Sequence, residues 1–137
     1  MKRGLLLNRH LSHLVASLGH LQEITIADAG LPAFAGANVI DLAVSPGVPR
    51  FFDVLHALRS ELVVEEVIYA KEVSSELEGK FHTEFETWQS IQGKKINSLK
   101  TISHNDFKSQ TADSMAIIRT GETVPYCNVI LVAGVNF

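Results

Sequence analysis

The order of elements along the chain predicts an α/β layered fold. Short β-rich runs alternate with stretches whose apolar residues recur every three or four positions, and Gly, Pro, Asn or Asp breaks separate them. Apolar residues make up 46% of 137 residues, enough for one core that buries roughly two thirds of the unfolded chain's surface.

Asn8 is a good helix N-cap, because its side-chain oxygen can accept from the first free backbone N–H groups. Leu11, Leu14, Val15 and Leu18 follow at helical spacing, and Gly19 is expected to stop the helix. Glu23 to Ala27 is a β-rich run broken by Asp28-Ala29-Gly30-Leu31-Pro32. A second strand is predicted over Val39 to Val44, ended by Ser45-Pro46-Gly47-Val48-Pro49. Phe52, Leu55, Leu58 and Leu62 mark the next helical face. Glu66 to Ala70 reads as a strand, and the region from Glu76 to Gln92 as a helix stopped at Gly93. A further strand lies within Lys95 to Ser103, and Ser103 or Asn105 caps a short helix across Phe107 to Ala112. Met115 to Arg119 and Asn128 to Ala133 are the last strands, separated by a turn at Gly121 and Pro125.

Charged residues make up 20% and the net charge is -3, which lacks the basic footprint that a nucleic-acid partner requires. Cys127 is the single cysteine, so no intrachain disulfide can form. The apolar run after Lys2-Arg3 stops at Asn8, too short for a signal peptide, and no stretch approaches the length of a membrane span. The expected location is the cytoplasm. With no repeat, low-complexity tract or linker, residues 1–137 are expected to form one unit. The apolar content is somewhat high for a monomer, which suggests a covered subunit interface.

The polar residues of interest lie in the breaks. In open α/β sheets ligands bind outside the carboxyl ends of strands, and Asp28 sits at such an end. It could meet a ligand there, or bond turn amides as Asp commonly does. His20 follows the helix stop, and an imidazole can give or take a proton near neutral pH; a solvated loop histidine is the alternative. His104 follows a strand at the N-terminal side of the short helix predicted next, as a ligand contact or as a capping or surface residue. Tyr126 and Asn128 flank Cys127, and their spacing puts both side chains on one face of the final strand. A phenol and an amide suit a polyhydroxylated ligand, and would equally tie down a strand end. Tyr126 opens a strand whereas Asp28 closes one. To share a site, either the strands run antiparallel or the residues come from neighbouring subunits. His10 and His13 lack a third ligand at motif spacing, so no metal site is expected. Lys94-Lys95 reads as an exposed turn pair, Asp41 as a strand-end bond, and Cys127 as a small buried residue.

Leu18-Gly19-His20, Ala27-Asp28-Ala29-Gly30-Leu31-Pro32, Ile40-Asp41-Leu42, Pro46-Gly47-Val48-Pro49, Ser103-His104 with Phe107-Lys108, Ala116 to Glu122, and Pro125 to Leu131 with Ala133-Gly134-Val135 together resemble successive motifs of the D-ribose pyranase family. The similarity runs from Gly4 to Phe137, with the region from about Glu72 to Leu99 matching least. The resemblance implies a three-layer α/β/α fold with a mixed β-sheet, in a ring-shaped homo-oligomer, a decamer, with active clefts at subunit contacts. It implies exchange between the β-pyranose and β-furanose forms of D-ribose without a cofactor. His20 takes the proton-donor position. Asp28 and His104 match substrate contacts, as does the Tyr126-Cys127-Asn128 segment, to which the backbone contributes. The related L-fucose mutarotases share the design; a glycine is expected there at the Cys127 position, so the Pro-Tyr-Cys-Asn form favours ribose. A mutarotase of another sugar and a non-catalytic sugar-binding accessory protein of ribose uptake are the alternatives.

Overall fold

The computed structural model describes all of residues 1–137. Helix α1 (Arg9–Ser17) opens at Asn8, whose side chain accepts from the backbone N–H groups of His10 and Leu11. It ends before Gly19: Leu18 already leaves in an extended conformation (φ -72°, ψ 128°), and the left-handed residue of the connection is Leu21 at φ 67°. The helix therefore ends at Leu18, one residue before Gly19, by an extended cap residue rather than by a left-handed glycine.

Strand β1 (Glu23–Ala27) leads by way of Asp28 to the short β2 (Val39–Asp41), which ends at Asp41 rather than Val44. Asp41 itself ends the strand, its carboxylate accepting from Ala43 N (3.0 Å) and pairing with Arg119 (3.1 Å). The 45–49 loop then packs against Gly121, where a Cβ would come within 2.5 Å of Val48 O. Helix α2 (Phe51–Arg59) buries Phe51, Val54, Leu55 and Leu58. Leu55, Leu58 and Leu62 face inward as predicted; at the first turn Phe51 rather than Phe52 fills the core, and Phe52 lies edge-on beside it (5.2 Å, 85°).

Strand β3 (Val64–Ala70) precedes α3 (Ser75–Gln92), which is capped by Ser74 and closed by Gly93 in the left-handed conformation (φ 69°). Its Glu84 carboxylate is buried yet paired on both oxygens, with His56 (3.0 Å) and Arg59 (2.7 Å) of α2. Such pairing is what a buried charge requires. Trp88 is fully buried and donates its indole N–H to Leu62 O (3.1 Å). Lys94 is not a free turn residue: its ammonium binds Val135 O and Phe137 O, each at 2.7 Å, and holds the C-terminal segment in place.

Strand β4 (Ser98–Ile102) is followed by α4 (His104–Gln110), one turn of 3₁₀ helix at Thr111–Asp113, β5 (Ser114–Arg119) and β6 (Val129–Ala133). Ser103, rather than Asn105, caps α4 by accepting from Asp106 N.

The six strands form one sheet in the order β2-β5-β1-β6-β3-β4. Every neighbouring pair is parallel except those of β6, which runs antiparallel between β1 and β3. Alternation along the strands divides the core. Ile24, Ile26, Val129 and Leu131 face α1, α2 and α3 in a cluster of 24 buried residues. Ile130, Val132 and Ile68 face the other way, under Phe107 of α4, in a cluster of four. This is a three-layer α/β/α arrangement with a mixed sheet and a thin second helical layer.

Candidate active site

Because only β6 is reversed, one edge of the sheet collects the carboxyl ends of five strands and the start of the sixth. Asp28 leaves β1 at that edge, Asn128 enters β6 beside it, and His104 follows β4. The strands of Asp28 and Tyr126 are antiparallel neighbours, so these residues share an edge within one chain and need no second subunit to meet.

Asp28 and Asn128 clasp each other. The Asn128 amide nitrogen donates to Asp28 Oδ2 (3.0 Å), and its oxygen accepts from the Asp28 backbone N–H (2.7 Å). The other carboxylate oxygen accepts from Gly30 N (2.9 Å). Gly30 adopts no left-handed conformation, and a Cβ there would only touch Asp28 Oδ1 at 3.6 Å. The turn-amide role and the ligand-facing role of Asp28 therefore coexist: its carboxylate is aimed by bonds that leave lone pairs free. Asn128 is 1% exposed, so its amide serves mainly to aim Asp28.

Tyr126 sits in a left-handed conformation (φ 62°), at the third position of a turn closed by Cys127 N and Val124 O (3.3 Å). With Pro125 at the second position this matches a type II turn, which favours glycine where Tyr126 stands. A non-glycine residue held there is strained, and such strain clusters at ligand sites. The phenol ring meets the His104 ring edge-on at 4.9 Å and 81°. His104 stacks on Phe107 (12° between planes), and its backbone N–H is gripped by both Glu72 carboxylate oxygens (3.1 and 2.9 Å). That bond holds the Glu72 carboxyl below its ordinary pKa. The Nδ1 atom of His104 is buried without a partner. A neutral imidazole offers one N–H and one lone pair, so the ring can donate to or accept from a ligand.

Cys127 turns to the opposite face, 1% exposed in the large core cluster. Burial above all, with the nearby Glu122 and Asp28 carboxylates, pushes its thiol pKa well up. A protonated thiol facing the core is no nucleophile, so only the Cys127 backbone can reach a ligand beside Tyr126 and Asn128.

His20 lies elsewhere. It precedes β1, whereas Asp28 follows it, and the five residues of that strand, each advancing about 3.3 Å, separate them by roughly 16 Å or more. The His20 side chain is 51% exposed, and its Nε2 pairs with Glu65 Oε2 at 3.1 Å. Of the two arrangements left open for Tyr126 and Asp28, the antiparallel one holds; the residue that the protomer does not bring to the others is His20. None of the three clefts of about 500 Å³ on the surface includes Asp28, His104, Tyr126 or Asn128. His20 lines one of them, with Leu18, Gly134 and Phe137.

Four supporting residues carry no local signal that the sequence reading used. Glu72 anchors His104 from 32 positions away, and Glu65 pairs with His20 from 45 away. Arg119 Nε donates to Ala29 O (3.1 Å), and Glu122 O accepts from Ala29 N (2.8 Å), fixing the turn after Asp28. The motif Ala116 to Glu122 contains the last two, without a spacing that betrays their role. His10 and His13 are exposed, and no three His, Cys, Asp or Glu side chains come together as a metal site would require.

Comparison with known proteins places the chain. It is 48% identical over its full length to a protein named D-ribose pyranase from Aeromonas salmonicida, and 44% to one from Haemophilus influenzae, each covered completely. Its fold matches Bacillus subtilis RbsD complexed with D-ribose at a TM-score of 0.84 and 42% identity, covering 100% of this chain and 99% of that one. A fucose mutarotase from Streptococcus pneumoniae in complex with L-fucose matches at a TM-score of 0.80 but 23% identity, over 98% of this chain and 99% of that one, a likeness of fold. A family model covers residues 1–136, and the chain belongs to the RbsD / FucU transport protein family.

Proposed function

We propose that this protein exchanges the β-pyranose and β-furanose forms of D-ribose by acid–base ring opening and reclosure, using no cofactor. The observation that carries the reading is the rigid polar edge formed by Asp28, Asn128, Tyr126 and His104, in a chain similar over its whole length to proteins named for this reaction.

Ring opening delivers a proton to the ring oxygen, breaks its bond to the anomeric carbon and removes the anomeric hydroxyl proton, giving the open-chain aldehyde. Reclosure through a different hydroxyl gives the other ring size. Asp28 accepts from sugar hydroxyls, His104 donates to or accepts from them, and Tyr126 offers a ring surface and a hydroxyl. The backbone of Cys127 and the clasp of Asn128 complete the binding edge. His20 is the proton donor, and it comes from a neighbouring copy in a ring-shaped homo-oligomer, a decamer. The apolar content and the exposed Leu5, Leu7, Leu21 and Phe137 supply surface for such an assembly. The same reading puts the protein in the cytoplasm; no helix is long and apolar enough to cross a membrane.

Magnetisation-exchange NMR on D-ribose with catalytic amounts of protein tests the reading. Pyranose–furanose exchange is expected to accelerate, and more for ribose than for L-fucose in a sugar panel. Binding without acceleration would make the protein a sugar-binding accessory, and a preference for fucose would make it a different mutarotase.

A further inference from the structure

We propose that Glu65 is the positioning residue for His20: it holds the imidazole by Nε2–H and thereby makes Nδ1 the atom that exchanges protons with the sugar. The inference deepens the functional reading above and rests on it for the role of His20.

Four observations at the far end of the sheet lead here. Glu65 Oε2 lies 3.1 Å from His20 Nε2, while Nδ1 has no partner in the chain. Whichever charge the ring carries, a carboxylate at that distance keeps a proton on Nε2, because it can only accept. The loop that carries His20 is held on both sides. Gly19 N donates to Gln22 Oε1 (2.7 Å), Gln22 N to Gly19 O (3.2 Å) and Leu21 N to Ala133 O (2.9 Å). Leu21 is locked at φ 67°, a conformation that a leucine keeps only where its surroundings impose it. Finally, Gly134 lies against the Glu65 side chain, where a Cβ would be tight only against Val63. A Cβ there would stand 3.4 Å from Glu65 Cβ, 3.5 Å from Glu65 Oε2 and 3.2 Å from Val63 Cγ1.

An exposed ion pair of this kind adds little to stability. What it supplies is orientation and a fixed tautomer, the service that a carboxylate gives to an imidazole in acid–base catalysis. The proton balance closes on one ring. Imidazolium His20 gives its Nδ1 proton to the ring oxygen as the bond to the anomeric carbon breaks, and the anomeric hydroxyl proton passes to water. In reclosure the neutral Nδ1 takes the proton of the attacking hydroxyl, water returns one to the carbonyl oxygen, and His20 is again imidazolium. Glu65 loses and gains nothing; it stabilises the imidazolium before the first transfer and after the second, and keeps the proton on Nε2 while the ring is neutral between them.

The experiment compares wild type, Glu65→Gln, Glu65→Asp, His20→Ala and the double variant His20→Ala/Glu65→Gln by exchange NMR, with calorimetric ribose affinity and size-exclusion light scattering on each. The expected results for Glu65→Gln are a turnover about 10-fold or more below wild type, unchanged assembly and an affinity within about threefold. Partial recovery is expected in Glu65→Asp, and no further loss when Glu65→Gln is added to His20→Ala. Ring ¹⁵N shifts of His20 should show the Nε2–H form in wild type and a mixture of tautomers in Glu65→Gln. Near-normal turnover in Glu65→Gln, or an equal loss in the His20→Ala background, overturns the positioning role while ribose exchange by wild type stands. Wild-type protein that fails to accelerate exchange overturns the ribose reading and this proposal with it.

Discussion

The two ends of the central sheet are built differently. At the Asp28 end, polar groups are tied to one another inside the chain: Asn128 is buried and doubly bonded to Asp28, Glu72 grips His104, and Arg119 and Glu122 fix the turn after Asp28. At the His20 end the side chains are looser. His20 is half exposed with one partner, Glu65. The first end is organised to hold a ligand still. The second presents one imidazole to whatever covers it. A ligand edge that is rigid before binding loses little entropy on binding. On the proposed reading, His20 would act as proton donor only when another copy docks, and catalysis and assembly would be the same event.

Mixing subunits should break or sharpen this contrast most severely. His20→Ala and Asp28→Ala are each expected to exchange ribose about 100-fold more slowly than wild type. Refolded together in equal amounts, they should regain about a quarter of wild-type activity, because random assembly pairs an intact His20 with an intact neighbouring Asp28 at that frequency. Exchange NMR on the mixed oligomers reads this directly. No recovery would mean that both residues act within one chain, against the distance between them.

Asn128→Ala attacks the rigid end. It removes the acceptor of Asp28 N and the donor to Asp28 Oδ2, and should cost about 1–3 kcal/mol of stability as well as weakening ribose binding. Urea unfolding at fixed protein concentration, with calorimetry, separates the two effects. A loss of affinity without loss of stability would show that Asn128 meets the sugar more than it aims Asp28.

The smallest effect is expected from Glu23→Gln at the looser end. Burial, opposed by the Gln110 amide and reinforced by Asp113 and Glu66, raises the Glu23 pKa. A carboxyl with a raised folded-state pKa stabilises the fold below its ordinary range and loses that contribution as pH rises through the folded value. The variant should therefore match wild type in thermal midpoint near pH 4 and exceed it near pH 7. A gain of equal size at both pH values would trace the effect to packing rather than to ionisation.

How much of this was legible along the chain depends on the range of the interaction. The caps at Asn8 and Ser103 and the left-handed stop at Gly93 follow from local backbone chemistry and were readable. The stop after α1 falls just before Gly19, but it is made by Leu18 turning extended with its N–H on Val15 O rather than by a left-handed glycine. In the first turn of α2 the sequence pattern placed Phe52 rather than Phe51 in the core because the two have the same hydrophobicity, and only packing shows that Phe51 is the fully buried one. Glu65 and Glu72 had no signature, since a glutamate that reaches a partner 45 or 32 positions away looks like any solvated one.

The sequence by itself determined which residues could do chemistry and which local signals start and stop the helices. Spacing alone predicts Tyr126 and Asn128 on one face of the final strand, but Tyr126 lies at φ 62° in a turn ahead of β6, where strand alternation does not set its direction. Only the tertiary structure decided which of them meet. The reversal of β6 between β1 and β3 brings Asn128 to Asp28 across 100 positions, and the same parallel course of β1 carries His20 to the opposite edge. Strand order and direction come from the packing of all layers at once, a sum of non-local contacts that leaves no periodic trace in the chain.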